Sequence, residues 1–439
     1  MASANVLPII DTSASMSYSG YAGITKTDSQ AFIRSARPGD RIGVVSYDTA
    51  GRVTYPPGGT SLVTVDFSMK QPREAAAAIE ALSFEGGCTN IAGGISVGRS
   101  LMDPQPFPKG LVLLSDGYWN CGSDPLQGLP SYPIYSCAMG PDSDQNLMYQ
   151  IAYKTGGKYY FAPTAFQMTL IFNQIRGELS PGTLVAVNQQ QPLAPGAQLS
   201  VPADIGPSSD GLQFSFVWND PSLIYTPDTP QPGQIQVGLW VPDTGTRWGA
   251  EPDVIGLGYV IWNIPLTFPG RWQISAQFAA GASMLPDVTT TAGALEFGSD
   301  TVLEVEPRQA GDGVDLSVRL VSGGQPVTDQ RVTVEVVRAE PVEDAIARLQ
   351  RDLSTVVVPG NVKEVPPQIA QLRALAIRRG RQVVEERRQT LADDGSHQWQ
   401  VPFDGASSMT FRAVATGKTA DGVAVQRTSI FSVYNGAVA

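Results

Sequence analysis

Two continuous apolar runs, each followed by an acidic residue, give the clearest structural signal along the chain. Residues 5–10 lead into Asp11, and residues 110–115 lead into Asp116. Runs that are apolar at every position are typical of parallel strands buried on both faces of an α/β sheet. Because ligands bind at the carboxyl ends of such strands, we expect Asp11 and Asp116 to lie on one rim of the sheet.

Pro8 lies inside the first of these runs. A proline removes a ladder donor, so a central strand containing it needs a local irregularity or an unpaired stretch. We keep the strand prediction because the polar cluster follows directly. Residues 36–47 add a helix end, a Pro-Gly stop and a further strand, and residues 147–162 predict a late helix, a turn and a strand.

The polar cluster after the first run, residues 11–15, reads Asp-Thr-Ser-Ala-Ser. It places a carboxylate and two hydroxyls at alternate positions, and such hard oxygen ligands suit Mg²⁺. By itself the cluster is equally typical of a polar turn or a helix N-cap, since Asp and Ser accept backbone N–H bonds there. A glycine-rich turn at residues 85–91, which contains Thr89, and the second acidic rim residue Asp116 favour the metal site.

With these positions in this order, the N-terminal part resembles von Willebrand factor type A domains, whose fold is shared with integrin inserted domains. The resemblance covers about residues 1–180 and implies a doubly wound, Rossmann-like α/β fold with a complete metal-ion-dependent adhesion site. It implies that the hydroxyls reach the ion directly and that the carboxylates act partly through water. The implied metal residues are Asp11, Ser13, Ser15, Thr89 and Asp116.

The resemblance also implies a cofactor and a partner. The cofactor is Mg²⁺, and Mn²⁺ or Ca²⁺ is compatible with the same ligand types. An ion held mainly by hydroxyls stays strongly electrophilic, and the family satisfies it with an Asp or Glu from a partner protein. We therefore expect a non-catalytic, divalent-metal-dependent protein-binding or adhesion module. One alternative is a structural or assembly protein that uses β-sandwich domains for contacts. The other is a recognition or regulatory part of a larger enzyme or of a protein similar to channel regulators.

Beyond residue 180 the chain becomes rich in Pro, Gly, Gln, Thr and Val, with short alternating segments between turn residues. This pattern predicts a β-sandwich over residues 181–300 and an immunoglobulin-like sandwich over residues 301–439. Five tryptophans in the first sandwich are expected to fill its core rather than form a carbohydrate platform. They are Trp218, Trp240, Trp248, Trp262 and Trp272.

A helical hairpin is predicted as an insertion in the last domain, at about residues 342–389, from apolar residues at helical spacing. Residues 342–388 contain nine Lys or Arg against six Asp or Glu, in a chain of net charge −11. This excess is typical of a solvated helix face. A docking surface for an acidic partner is the functional alternative.

A looser resemblance covers the order of the domains. A type A domain followed by sandwiches, with a segment such as residues 268–273, is similar to the post-protease part of calcium-activated chloride channel regulators and related bacterial proteins. Those proteins can carry a zinc protease motif, His-Glu-x-x-His, upstream. The chain has one histidine, His397, so any such activity lies outside this sequence.

Composition excludes several functions. A net charge of −11 and a pI near 4.7 disfavour nucleic-acid binding, which needs a basic surface. No apolar run approaches the roughly 20 residues that span a bilayer. We also predict no enzymatic activity, because His397 lies in a predicted surface turn and Ser96, in a Gly-x-Ser-x-Gly pattern, falls inside a predicted helix instead of at a nucleophile elbow.

The sequence contains three cysteines, Cys88, Cys121 and Cys137. We favour three reduced thiols packed as small hydrophobes, with a Cys88–Cys121 bridge as the alternative and Cys137 as a buried strand residue.

No signal peptide precedes the first strand. The abrupt start slightly favours a truncated chain from an extracellular or cell-surface protein, and a complete chain would be cytoplasmic.

Overall fold

The computed structural model describes residues 3–140, 143–162, 167–180, 182–207, 209–220, 222–242, 244–265, 268–280, 288–338, 387–393 and 395–436. The predicted helical hairpin at 342–389 lies outside these residues, apart from its last three positions. Those positions, 387–389, begin a β-strand, so the predicted helix cannot extend to residue 389.

Within the residues that the structure describes, the first sheet contains eight strands and is accompanied by six helices. The strands are β1 (Asn5–Asp11), β2 (Arg41–Ile42), β3 (Val44–Tyr47), β4 (Gly51–Tyr55), β5 (Val63–Thr64), β6 (Lys109–Ser115), β7 (Ile134–Met139) and β8 (Tyr159–Ala162). The helices are α1 (Ala14–Tyr18), α2 (Ala22–Arg34), α3 (Lys70–Glu80), α4 (Ile91–Met102), α5 (Gln145–Lys154) and α6 (Met168–Leu179).

The strand order is β4-β3-β1-β6-β7-β8, and β1 pairs in parallel with both β3 and β6. The chain therefore leaves β1 toward one side of the sheet and later returns to its other side. At such a point the loops after the two strands separate and leave a crevice. The carboxyl ends of β1 and β6 meet there, which places the residues after both apolar runs on one rim.

Helices cover both faces of this sheet, which explains why the β1 run is apolar at every position. Val6 and Ile10 pack into a core shared with α2 and α6. Leu7 and Ile9 point to the opposite face and pack with α4 and α5. A strand between two helical layers has no solvent-facing side, so it shows no alternation of apolar and polar residues.

The irregularity expected at Pro8 is present on one side of β1. The pairing with β6 runs through Pro8, which lies opposite Val112. On the other side, residues 5–6 pair with β2 and residues 9–11 with β3, so the ladder is interrupted opposite Pro8. The missing donor thus coincides with the break between two short strands.

Two further sheets pack around a common core of buried residues. Their strands are β9 (Thr183–Leu193), β10 (Gln198–Ile205), β11 (Gly211–Trp218), β12 (Ile224–Thr226), β13 (Gln234–Trp240), β14 (Val254–Gly256), β15 (Tyr259–Ile264), β16 (Gly270–Phe278) and β17 (Val288–Phe297). The sheet orders are β10-β16-β13-β12 and β14-β15-β11-β17-β9. Trp218, Trp262 and Trp272 are buried, as predicted, whereas Trp240 and Trp248 are half-buried.

The last two sheets enclose another core. Their strands are β18 (Thr301–Ala310), β19 (Gly313–Ser322), β20 (Gln325–Pro326), β21 (Thr328–Arg338), β22 (Arg387–Leu391), β23 (Gln398–Pro402), β24 (Ser408–Lys418) and β25 (Ala424–Tyr434). One sheet joins β18, β19, β20 and β23, and the other has the order β22-β21-β24-β25. Across the described residues, no helix is long and apolar enough to cross a membrane.

Two side-chain contacts join the sheet of β21, β22, β24 and β25 to other parts of the chain. The hydroxyl of Thr410 in β24 donates to the carbonyl of Phe161 in β8 over 2.7 Å. In a second contact, Arg427 of β25 forms an ion pair with Glu296 of β17, with an N–O distance of 2.9 Å. Both side chains are essentially inaccessible, and breaking such a pair leaves an uncompensated buried charge. The sheet of β21, β22, β24 and β25 is therefore anchored to the first sheet and to the two sheets formed by β9–β17.

Candidate metal centre

Asp11 ends β1 and is completely buried at the rim. Its Oδ1 accepts the backbone N–H of Ser13 at 2.9 Å, and its Oδ2 accepts the hydroxyl of Ser115 at 2.8 Å. The hydroxyl of Tyr47 lies 3.4 Å from the same Oδ2 and 2.9 Å from the carbonyl oxygen of Leu114. Burial raises the pKa of Asp11, and the hydrogen bonds from the two serines act in the opposite direction.

The two serines of the cluster connect β1 to β6. Ser13 Oγ lies 2.9 Å from Ser15 Oγ, and the Ser15 hydroxyl donates to Asp116 Oδ1 at 2.8 Å. Ser13 occupies the N-cap position of α1, but its side chain makes no capping hydrogen bond. This rules out side-chain capping as its role. Since the hydroxyl hydrogen of Ser15 points to Asp116, the oxygen of Ser15 acts as an acceptor toward Ser13 and any further partner.

Thr89 reaches the same place from the glycine-rich turn and is buried. The turn is held against the end of β1, because the N–H of Ala14 donates to the carbonyl of Gly86 at 2.9 Å. A Cβ at Gly117 would lie 3.5 Å from Ser15 Oγ and 3.7 Å from Thr89 Oγ1. The two hydroxyls therefore lie on the same side of the segment that follows Asp116.

The geometry of this donor set fits a small divalent cation. Octahedral Mg²⁺ holds oxygens at about 2.0–2.1 Å, which places neighbouring ligands about 2.9 Å apart. The Ser13–Ser15 and Ser15–Asp116 oxygen pairs are separated by 2.9 and 2.8 Å. Nowhere in the described residues do three or more His, Cys, Asp or Glu side chains gather at metal-binding distances. A cation at this place would therefore be held largely by hydroxyl oxygens.

Three residues that support the site were missed in the sequence: Ser115, Tyr47 and Asn120. Ser115 and Tyr47 support Asp11, but inside apolar strands they look like ordinary strand residues. Asn120 accepts the backbone N–H of Thr89 through its Oδ1 at 2.8 Å. The preference for three reduced thiols was wrong, because Cys88 and Cys121 form a disulfide with a Cα–Cα distance of 6.2 Å. Cys137 is a buried free thiol in β7, as predicted.

The two catalytic candidates from the sequence lie apart from this centre. Ser96 is exposed within α4, and the glycines on either side serve packing. A Cβ at Gly94 would lie 2.7 Å from a ring carbon of Tyr47, so this glycine allows α4 to approach β3 closely. His397 precedes β23, and its Nδ1 lies 3.0 Å from Asp393 Oδ2.

Two aromatic side chains follow the site directly. Tyr118 is 52 % exposed and Trp119 is 38 % exposed, immediately after Gly117. The indole N–H of Trp119 donates to the carbonyl of Cys121 at 2.7 Å. This hydrogen bond fixes one edge of the ring to its own loop.

Several solved structures are similar to parts of this chain. The chain is similar to a von Willebrand factor type A protein from Catenulispora acidiphila, with 15 % identity, 74 % of this chain and 63 % of that chain covered, and a TM-score of 0.38. The chain thus spans less than two thirds of that protein. Proximal thread matrix protein 1 from the mussel byssus is also similar, with 16 % identity, 43 % and 49 % covered, and a TM-score of 0.33.

The von Willebrand factor domain of Mfa5, a type V pili tip protein of Porphyromonas gingivalis, is 15 % identical, with 42 % of this chain and 98 % of that domain covered and a TM-score of 0.30. No curated protein matches the chain. Residues 6–118 match the von Willebrand factor type A domain family. The N-terminal part of this chain therefore contains a von Willebrand factor type A domain.

Proposed function

We propose that this chain is a non-catalytic, divalent-metal-dependent protein-binding module that captures an acidic residue of its partner. The observation that carries the proposal is the row of oxygens from Ser13 through Ser15 to Asp116, spaced by 2.8–2.9 Å at the rim. Thr89 and Asp11 complete the set from the neighbouring loop and strand. Each ligand type is an oxygen that Mg²⁺ prefers.

In this proposal, Asp11 and Asp116 have different roles in the binding of the ion. Asp11 is anchored by Ser115 and by the backbone of Ser13, so it holds the first loop in place. Asp116 accepts a hydrogen bond from the Ser15 hydroxyl, so the lone-pair side of the serine oxygen can face an ion. A bound Mg²⁺ would supply a Lewis-acidic position for one carboxylate oxygen of a partner.

The exposed aromatics beside the site favour a protein partner over a free small carboxylate. Tyr118 and Trp119 lie next to Asp116 in sequence and remain partly open to solvent. Tyrosine and tryptophan are enriched among the residues that dominate protein–protein binding energies. An acidic partner residue at the ion, with apolar neighbours against these rings, would use both features.

The proposed architecture is a doubly wound type A domain at 1–180 and two β-sandwiches at 181–300 and 301–439. The buried pair between Glu296 and Arg427 and the bond from Thr410 to Phe161 support a firm platform for the rim. A firm platform lowers the conformational entropy lost on binding. A structural or assembly role for the sandwiches is the alternative.

The test is selection of displayed peptides on the immobilised chain in Mg²⁺. We expect selected peptides to contain Asp or Glu and to be released by EDTA. Exchange of Asp for Asn in the peptide should abolish binding, and the Asp116→Ala chain should not bind the peptides. Trp119→Ala should weaken binding without removing its metal dependence. The control Asp421→Ala changes an exposed aspartate in the turn between β24 and β25 and should bind normally.

Equal retention in Mg²⁺, in EDTA and on Asp116→Ala would refute the proposal. The assembly alternative makes a different prediction. If the metal loop served stability alone, EDTA would lower the unfolding temperature of the chain while its association with partners stayed unchanged.

A further inference from the structure

The Cys88–Cys121 disulfide joins the two loops that carry opposite sides of the candidate metal centre. Cys88 directly precedes Thr89, and Cys121 lies five positions after Asp116. The bridge spans 33 residues of sequence, including the whole of α4 and β6. A covalent bond at this place constrains the position of a ligand hydroxyl relative to a ligand carboxylate.

On the side of β1, the loop that carries Thr89 is attached at both of its ends. The N–H of Gly86 donates to the carbonyl of Thr12 at 3.1 Å, and the N–H of Asn90 donates to the carbonyl of Asp48 at 2.8 Å. The side chain of Asn90 also caps α4 by accepting the N–H of Gly93. These bonds fix the ends of the loop to β1 and to the turn after β3, but they do not link Thr89 to Asp116.

On the side of β6, Thr89 is held by its contacts with Asn120. The N–H of Thr89 donates to Asn120 Oδ1 at 2.8 Å, and the N–H of Asn120 lies 3.4 Å from the carbonyl oxygen of Thr89. Asn120 is exposed and belongs to a segment without helix or strand between Asp116 and β7 in the described residues. Such segments open locally at low cost unless they are tied down.

We propose that the Cys88–Cys121 disulfide and Asn120 position Thr89 as a metal ligand, so that the affinity of the centre for divalent cations falls when the disulfide is reduced. This inference rests on the proposed metal-binding function. Neither Asn120 nor the disulfide is itself a ligand. Both act through Thr89, and loss of outer contacts of this kind costs roughly tenfold to a hundredfold in metal affinity.

The exposure of the cysteines allows the change to occur in the folded chain. Cys88 and Cys121 are half-buried, whereas Cys137 is completely buried and burial raises the pKa of its thiol well above the ordinary value. A dithiol reductant would supply two electrons and two protons, break the sulfur–sulfur bond and leave two thiols, while it becomes a disulfide itself. Cys137 therefore serves as an internal control.

The experiment measures Mn²⁺ binding to the full chain by electron paramagnetic resonance of the free ion. Five samples are compared: oxidised chain, chain reduced with dithiothreitol and desalted without oxygen, Cys88→Ser/Cys121→Ser, Asn120→Ala with the disulfide intact, and Cys137→Ser. We expect a rise of the Kd by roughly tenfold to a hundredfold in the second, third and fourth samples. Cys137→Ser should match the oxidised chain, and reoxidation should restore the reduced one.

Thermal unfolding in EDTA separates positioning from general loss of structure. Asn120→Ala should unfold within a few degrees of the oxidised chain although its Kd rises. Equal Kd values for oxidised, reduced and Asn120→Ala chains would overturn this inference and leave the proposed function standing. Failure of the oxidised chain to bind Mn²⁺ at all would overturn the proposed function, and this inference with it.

Discussion

Ser15 donates its hydroxyl proton to Asp116 over 2.8 Å, across 101 residues of sequence. This one hydrogen bond joins the loop after β1 to the loop after β6 at the rim of the first sheet. The hydroxyl hydrogen of Ser15 points toward the carboxylate, which accepts the hydrogen bond. The oxygen of Ser15 is then an acceptor, 2.9 Å from Ser13 Oγ and beside an anionic group, which is an arrangement that suits a hard cation.

The first prediction concerns the anchor of Asp11. Ser115→Ala removes the hydroxyl that donates to the buried Asp11 Oδ2. A buried acceptor that loses its donor costs about 1–3 kcal/mol. We expect the free energy of unfolding, measured with urea in EDTA, to fall by about that amount, and Mn²⁺ affinity to fall as well. Ser100→Ala, which changes an exposed serine in α4, is the control, and an equal effect of both variants would contradict the role given to Ser115.

The strands and the ligand order of the first domain could be predicted because their physical causes are local. Continuous burial between two helical layers makes β1 and β6 apolar at every position, and the polar residues that follow them stand out. The support of Asp11 by Ser115 could not be predicted in this way. A single serine at the end of an apolar run gives no sign of a contact with a residue 104 positions earlier.

The second prediction concerns Asp28 of α2, a carboxyl without solvent contact that accepts the hydroxyl of Thr169 at 2.7 Å. Burial raises the pKa of Asp28 to about 8, although the bond from Thr169 acts in the opposite direction. In the unfolded chain the group ionises near 3.8. Between these two values the folded chain binds more protons, so ionisation of Asp28 in the unfolded state lowers the free energy of unfolding as pH rises.

Asp28→Asn should remove this dependence, because the amide oxygen still accepts the Thr169 hydroxyl and does not ionise. We expect the variant to be more stable than wild type at pH 7.5, with a smaller difference at pH 5. The measurement is urea unfolding at both values in EDTA, with Asp421→Asn as an exposed control. A difference between variant and wild type that stays constant from pH 5 to pH 7.5 would contradict the assignment.

The third prediction concerns Asp40, whose ionisation stabilises the folded chain, in contrast to that of Asp28. Asp40 is buried against Arg176 and accepts the N–H groups of Ala4 and Arg37 at 2.9 and 2.8 Å. Burial by itself would raise the pKa of Asp40, but Arg176 and these donors outweigh it and hold the pKa below 3.8. The stabilisation is therefore present above pH 3.8 and is lost as pH falls through the lower value of the folded chain.

Asp40→Asn should lower the free energy of unfolding at pH 7 by about 3–5 kcal/mol, because Arg176 is left with an uncompensated buried charge. Denaturant unfolding at pH 7 and at pH 3 checks this. The difference from wild type should shrink at pH 3. A variant that matches Asp421→Asn at pH 7 would show that the pair contributes little.

Other parts of the fold were hidden in the sequence for physical reasons. β9 carries three consecutive glutamines that are half-buried, whereas the residues before them are mostly buried. β17 contains small residues and a register shift after Ala294, so it lacks a clear alternation. The Cys88–Cys121 pairing was open as an alternative, but the sequence could not favour it over free thiols, since two cysteines 33 residues apart meet only after the loops around α4 have formed.

The central claim is that Asp11, Ser13, Ser15, Thr89 and Asp116 form one divalent-cation site. The most direct measurement is titration of EDTA-treated, desalted chain with Mn²⁺, followed by electron paramagnetic resonance of the free ion, for wild type, Asp116→Ala and Asp421→Ala. We predict one saturable site in wild type and in Asp421→Ala that Mg²⁺ displaces, and loss of that site in Asp116→Ala. Binding that is absent from oxidised wild type, or unchanged by Asp116→Ala, would contradict the claim.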